Sequence, residues 1–230
     1  TSSSASFVLN GAAPTALFGT SSTITNLTAT SLTGILKLSL GTVSNNVNVG
    51  PAATSNFYAG LRLAANLTVS NEFYTTRTST DNNGCRFHVY SDVKGTQRTL
   101  SIATFGTGGT ASRNIDWEDI AVTGTASPLA SGTHHGNGGN TSGIVARAAT
   151  HYYAVSVGNF SSSSTWSATS GGAGGFGVPA LHDIIVMNAS SGTGTYTIYT
   201  TRICTGESNF LRVTQSLSLT PTPRCRQPPL

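Results

Sequence analysis

Leu27, Val47, Leu67 and Phe87 follow one another at intervals of twenty residues, each inside a short strand-like run. Gly, Asn, Ser or Pro separates every run from the next. Such an interval is what one turn of a coil of short strands requires, with each coil laid on the one before it. Asn26, Asn46 and Asn66 precede three of these residues, and asparagine suits tight corners because it tolerates left-handed backbone and hydrogen-bonds locally. A sandwich with strands about every 8–12 residues places apolar residues at the same interval. The spacing therefore predicts a β-solenoid-like or β-sandwich body.

The runs themselves are strands by pattern. Segments 6–10, 22–32, 35–40, 45–50, 61–70, 85–93, 98–105, 113–122, 151–158, 182–188 and 195–203 carry them. Many alternate with a period of two, as half-buried strands do, and no segment keeps a helical i, i+3, i+4, i+7 apolar face over a dozen residues. The prediction is all-β with little helix. Charged residues are only 9% of the chain, which excludes a charge-rich disordered tail and a coiled coil. Solubility must rest on hydroxyls and amides, a surface expected of a subunit packed into a larger assembly.

Twelve Lys and Arg against eight Asp and Glu give a net charge of +4. Arg202, Arg212, Arg224 and Arg226 gather near the C-terminal end against the single acid Glu207. No basic run elsewhere offers a nucleic-acid groove, so nucleic acid is not an expected partner. Neither is a membrane, since no signal peptide is present and no apolar run approaches the ~20 residues of a span. Thr1 in first place reads as a processed, trimmed or partial product. Cys85, Cys204 and Cys225 form no Cys-x-x-Cys pair and no even framework. They point to neither a metal site nor a disulfide scaffold, with a Cys204–Cys225 bridge left open. The sequons at Asn26, Asn66, Asn140, Asn159 and Asn188 are what a Ser/Thr-rich chain generates by chance.

Texture divides the chain into a β-rich body over 1–122 and a Gly/Ser/Asn-rich linker loop over 123–150. A small β cap or second β unit follows over 151–206, then a basic, Pro-rich tail over 207–230. The run SDVKGTQRTLSIA, then NIDWEDIAVTGT, then HGNGGNTSGI, a strand, and STWSATSGGAGGFGVPALHDIIVMN resembles a repeated β-solenoid module of tailed-phage virion proteins. These are proteins of fibre, appendage and capsid-decorating type. The resemblance covers about residues 90–190. It implies that Trp166 caps the apolar end of a strand stack, that Gly171 to Gly177 cross that end closely, and that Pro179 sets up an entering strand with Asp183 at its start. It also implies a non-enzymatic structural protein on the exterior of a virion, without a cofactor, acting through self-assembly. Its partners would be copies of itself, in a trimer or another symmetric oligomer, and other virion proteins. The chain departs from the pattern after about Gly206, where further coils would follow.

The rival expectation is a carbohydrate-binding adhesin or a glycan-degrading, tailspike-like protein for host attachment. Its candidate residues are Asp116, Trp117 and Glu118, with Tyr152 and Tyr153 as stacking aromatics. On a strand Asp116 and Glu118 share one face while Ile115, Trp117 and Asp119 share the other. Glycoside hydrolysis uses two carboxyl groups roughly 5–10 Å apart, and residues i and i+2 lie near the lower bound. The plainer expectation is an outward acidic face over an inward Ile/Trp core, with no second acidic cluster to complete a cleft, so no catalytic residue is assigned. His134-His135 lacks a further ligand at metal spacing and reads as polar loop. His88, His151 and His182 read as isolated strand histidines. No G-x-S-x-G elbow is present, and GGAGGFG lacks the Lys-Ser/Thr of a phosphate loop. Phe57-Tyr58, like the two tyrosines above, reads as core or interface packing.

Overall fold

The computed structural model describes residues 6–9, 15–16, 22–51, 59–76, 86–106, 114–129 and 135–197. Cys85, Cys204, Cys225, His134, Phe57, Tyr58 and the tail over 207–230 lie outside the described residues. The strands of the body are β1 (Ser6–Val8), β2 (Thr15–Ala16), β3 (Thr23–Ile24), β4 (Asn26–Leu32), β5 (Ile35–Leu38), β6 (Thr42–Val43) and β7 (Val47–Pro51). They continue with β8 (Gly60–Leu63), β9 (Leu67–Thr75), β10 (Phe87–Ser91), β11 (Arg98–Phe105), β12 (Ile115–Glu118), β13 (Ile120–Thr123) and β14 (His135–Asn137). Beyond them come β15 (His151–Ala154), β16 (Gly158–Asn159), β17 (Trp166–Ser167), β18 (Ile184–Val186) and β19 (Tyr196–Thr197). Helix among the described residues is confined to single 3₁₀ turns at Ser163–Thr165 and Ala189–Ser191. The protein is all-β.

Two parallel sheets make the body. One runs β1-β4-β7-β9-β11-β13, with β3 and β6 beside it, and the other runs β14-β12-β10-β8-β5-β2. From β4 to β14 the chain passes from one sheet to the other and back. Period-two patterning decides which side chains meet between them. Leu36, Leu61, Val89 and Trp117 stand in one inward row of the second sheet. Phe7, Leu27, Val47, Phe73 and Phe105 stand in one row of the first. Phe73 and Phe105 stack with ring centroids 6.1 Å apart and planes 8° from parallel. Burying each such side chain contributes about 1.5–3 kcal/mol. These rows hold the two sheets together.

The uniform twenty-residue interval is not what the registers follow. Leu27 does pair with Val47, but Val47 pairs with Phe73 and Leu67 with Leu100. Phe87 belongs to the second sheet, opposite Ile115. Register is fixed by the inward rows, while the number of residues between paired positions varies with the connections between sheets.

A ladder of asparagines marks the bend of the first sheet. Asn26 donates from Nδ2 to Ser6 Oγ at 3.0 Å, and its Oδ1 accepts from Asn45 Nδ2 at 3.0 Å and Asn46 N at 3.2 Å. Asn71 then donates from Nδ2 to Asn45 Oδ1 at 3.0 Å and to Asn46 Oδ1 at 2.8 Å. Asn66, expected at such a corner, lies in the turn between β8 and β9 and accepts the Thr99 N–H at 2.9 Å.

The run 113–122 is two strands, not one. Asp119 breaks it with a left-handed φ of 53°, which an aspartate tolerates at modest cost. Its carboxylate accepts from Gly95 N at 3.0 Å and Asn140 Nδ2 at 2.7 Å, so it faces the corner and does not continue the Ile115/Trp117 face. The span 123–150, expected as a linker loop, contributes β14 to the second sheet against β12. It also bridges Ala121 with Ser142 and Leu129 with Ile144. Small residues suffice there because Leu129 and His135 fill the inward positions. Past Thr150 a second apolar cluster forms from Tyr152, Ala154, Trp166, Ile185, Met187 and Tyr196.

Candidate functional site

The chemistry-bearing residues gather where the last strands of the body meet the segment 147–183. Strand β12 presents Asp116 and Glu118 to one side and Ile115 and Trp117 to the core, as alternation requires. Both acids are buried, however, and so the expected solvent-facing acidic face is absent. Asp116 Oδ1 takes a hydrogen bond from Arg86 Nε at 2.9 Å. Arg86 spreads its remaining donors over Asn114 Oδ1 and the Ile115 carbonyl, each at 3.2 Å. Glu118 Oε2 lies 3.5 Å from His88 Nε2, whose ring stacks on Tyr90 at 4.6 Å. A buried ion stays charged only when paired in this way.

Gly136 on β14 passes directly over Asp116. A Cβ there would fall on Asp116 Oδ1 and against Ala180, so only glycine lets the strand close over the ion pair. Trp117 is fully buried and donates its Nε1–H to His135 Nδ1 at 2.9 Å. It offers no ring face to a sugar.

The second core grips this end through Asp183 and His182. Asp183 has no exposed side-chain surface. Its Oδ1 accepts from Thr150 N at 2.9 Å, and its Oδ2 accepts from Ala180 N at 2.6 Å and from Arg147 Nη2. The guanidinium of Arg147 also lies 5.8 Å from the Tyr152 ring centre. Burial raises the Tyr152 phenol above its ordinary pKa, with Arg147 opposing part of the shift. His182 Nδ1 accepts from Asn137 N at 3.0 Å, and its Nε2 lies 2.9 Å from the Arg147 carbonyl. With Nδ1 occupied as acceptor, Nε2 carries the proton and donates. One imidazole thus ties β14 to the segment leading into β15.

Trp166 is fully buried and donates from Nε1 to the Phe160 carbonyl at 2.8 Å. It meets Phe160 edge-on at 4.7 Å and Tyr152 at 6.4 Å. Its contacts are those of the second core, while the face toward the body is made by Ala180, Leu181 and His182. Pro179 is buried next to them. Gly174 lies so close to the Ser164 carbonyl that a Cβ would collide with it. Tyr153 is half-buried, and its ring stacks with His151 at 6.4 Å.

The structure thus brings Asp116, Trp117, Asp183 and Pro179 to one joint, with Tyr152 behind it and Trp166 deeper. Arg86, His135, Arg147 and His182 complete it; His135 and His182 lay inside quoted stretches but were read as loop and isolated strand residues, and Arg86 and Arg147 lay in none. Among the described residues no three His, Cys, Asp or Glu side chains gather as metal ligands. Comparison of the chain with protein-family models, with curated proteins and with solved structures returned no match.

Proposed function

We propose that the body is a β-solenoid and that the chain is a non-enzymatic structural component of a virion, a phage fibre, appendage or capsid-decorating protein. It works by assembling with copies of itself, as a trimer or another symmetric oligomer, and with other virion proteins on the particle exterior. The observation that carries this reading is the difference between the two ends of the stack. Among the described residues β1 ends the first sheet, with Phe7 37% and Val8 62% exposed. An edge strand with apolar side chains is a template for another chain. At the other end the second core, Arg86–Asp116 and Trp117–His135 close the stack. The acids and aromatics considered for glycan chemistry are largely spent on that closure.

The test is the mass of the native protein in solution by light scattering, together with its place in a cryo-electron-microscopy map of the native particle. A symmetric oligomer at the particle surface is the expected result. A monomer with no place in the particle would refute the reading. Hydrolysis of a surface polysaccharide, lost in Glu118→Gln with folding intact, would favour the tailspike-like rival.

A further inference from the structure

Lys37 on β5 and Arg62 on β8 are directly paired in the parallel register. Both project outward, because Leu36, Leu38, Leu61 and Leu63 take the inward positions and are buried. Adjacent parallel strands lie about 4.8 Å apart, and like charges directly opposite each other destabilise a sheet. Among the described residues neither cation has a hydrogen bond or an ion pair, and Arg62 Nε is buried without a partner. Both side chains are half-buried, so water screens them less than it screens a free surface charge.

Among the described residues the carboxylates are engaged elsewhere, Glu72 included. Asp92 is held by Arg98, Asp116 by Arg86 and Asp183 by Arg147, while Glu118 lies beside His88. Asp119 is taken by Gly95 and Asn140. Among the described residues no carboxylate is left to serve Lys37 and Arg62, and the pair is open to an anion carried by another molecule.

The same row tells what kind of molecule. Arg62 is followed by Tyr90 on β10, and Tyr90 by Glu118 on β12. Along the row the side chains run cation, cation, phenol, carboxylate. A ligand fitting this order is anionic at the Lys37 end and neutral, with hydroxyl groups, toward Tyr90. A polyphosphate or nucleic-acid strand would bring negative charge up to Glu118, and the row has no further cation to track a backbone. We propose that Lys37 and Arg62 bind the carboxylate of a uronic-acid residue in an acidic glycan, with the sugar extending over Tyr90. The planar guanidinium takes a carboxylate through two parallel N–H donors and the ammonium adds a point charge, while the phenol ring suits a sugar face.

The experiment is calorimetric titration of the full chain with a galacturonic-acid trimer, a galactose trimer and inorganic phosphate, at low and at physiological salt. Expected are binding of the acidic trimer that weakens with salt, no binding of the neutral trimer, and weaker binding of phosphate. Lys37→Gln and Arg62→Gln should each raise the dissociation constant roughly tenfold or more, as loss of a charged hydrogen-bond partner does, with unchanged thermal unfolding. Should Arg62→Gln fail to fold, Lys37→Gln alone decides. The proposal is overturned if the wild-type chain does not bind the acidic trimer, or binds phosphate as tightly. It is equally overturned if a folded Lys37→Gln binds like wild type. The outcome is independent of where the protein sits on a particle.

Discussion

The indole N–H of Trp117 donates to His135 Nδ1 at 2.9 Å, with both side chains buried at the last inward positions of the second sheet. The bond fixes which imidazole nitrogen accepts. His135→Ala strands a buried N–H, and an unsatisfied donor costs about 1–3 kcal/mol. Denaturant unfolding of the variant should show a loss in that range. A change smaller than about 0.5 kcal/mol, the size of an ordinary surface substitution, would mean that the indole finds another acceptor.

Arg86 and Asp116 form a buried ion pair beneath Gly136. Asp116→Asn keeps the shape but leaves a guanidinium without its counter-charge, which costs about 3–5 kcal/mol. Sequence pattern alone placed this aspartate on an outward acidic face. Thermal melting should instead show clear destabilisation, and an unshifted midpoint would mean that water reaches the pair.

Asn26 satisfies Asn45 and Asn46 on one side and reaches Ser6 on the other. Asn26→Ala should therefore free β1 first. Amide exchange is expected to quicken at Phe7 and Leu9, whose neighbours on β4 are Leu27 and Thr28, while β10 to β13 keep their protection. Faster exchange throughout the body would show that the ladder holds more than one end.

Trp166→Ala removes the largest fully buried side chain of the second core. A large-to-small change of this kind costs about 3–5 kcal/mol. Limited proteolysis should open 151–197 while the body resists, because the body has its own apolar cluster apart from that of Trp166. Equal protection of 151–197 in the variant and the wild type would contradict the burial.

Alkaline pH should act on the same core. Tyr152 and Tyr196 both have their phenols raised above 10.0 by burial. In the window above about pH 10 the unfolded chain releases these protons before the folded chain does. Stability is therefore intact below pH 10 and falls as pH rises through the folded values. Circular dichroism at increasing pH should report loss of the second core, with Tyr152→Phe shifting the transition upward. An unchanged transition in that variant would assign the loss to other groups.

Strand content was legible because period-two alternation is a local property: the run 98–105 is β11 to the residue. Asn26 and Asn46 were legible as corner residues for the same reason. The interval between paired residues was not, since Val47 finds Phe73 only after a connection whose length no local pattern sets. The joint was hidden for a similar reason. Arg86 meets Asp116 across adjacent strands, and His182 meets Asn137 between the two cores. Neither pairing leaves a trace in spacing. Burial of the acids followed from Gly136 and Ala180 closing over them, which alternation along β12 alone does not reveal.

The connections between the two sheets are unequal in a consistent way. From the second sheet to the first, the chain spends three residues between Leu38 and Thr42, three between Leu63 and Leu67, six between Ser91 and Arg98, and one between Glu118 and Ile120. From the first to the second it spends two between Leu32 and Ile35, then eight between Pro51 and Gly60, eleven between Thr75 and Phe87, and nine between Phe105 and Ile115. Length variation is thus gathered on one margin, while the opposite margin is held tight by corners such as Asp119. The strands on either side of these connections keep their parallel pairing within each sheet whatever the connections' length, so on that margin the number of residues does not set which strands meet. The same margin is where a foreign peptide could be grafted for display.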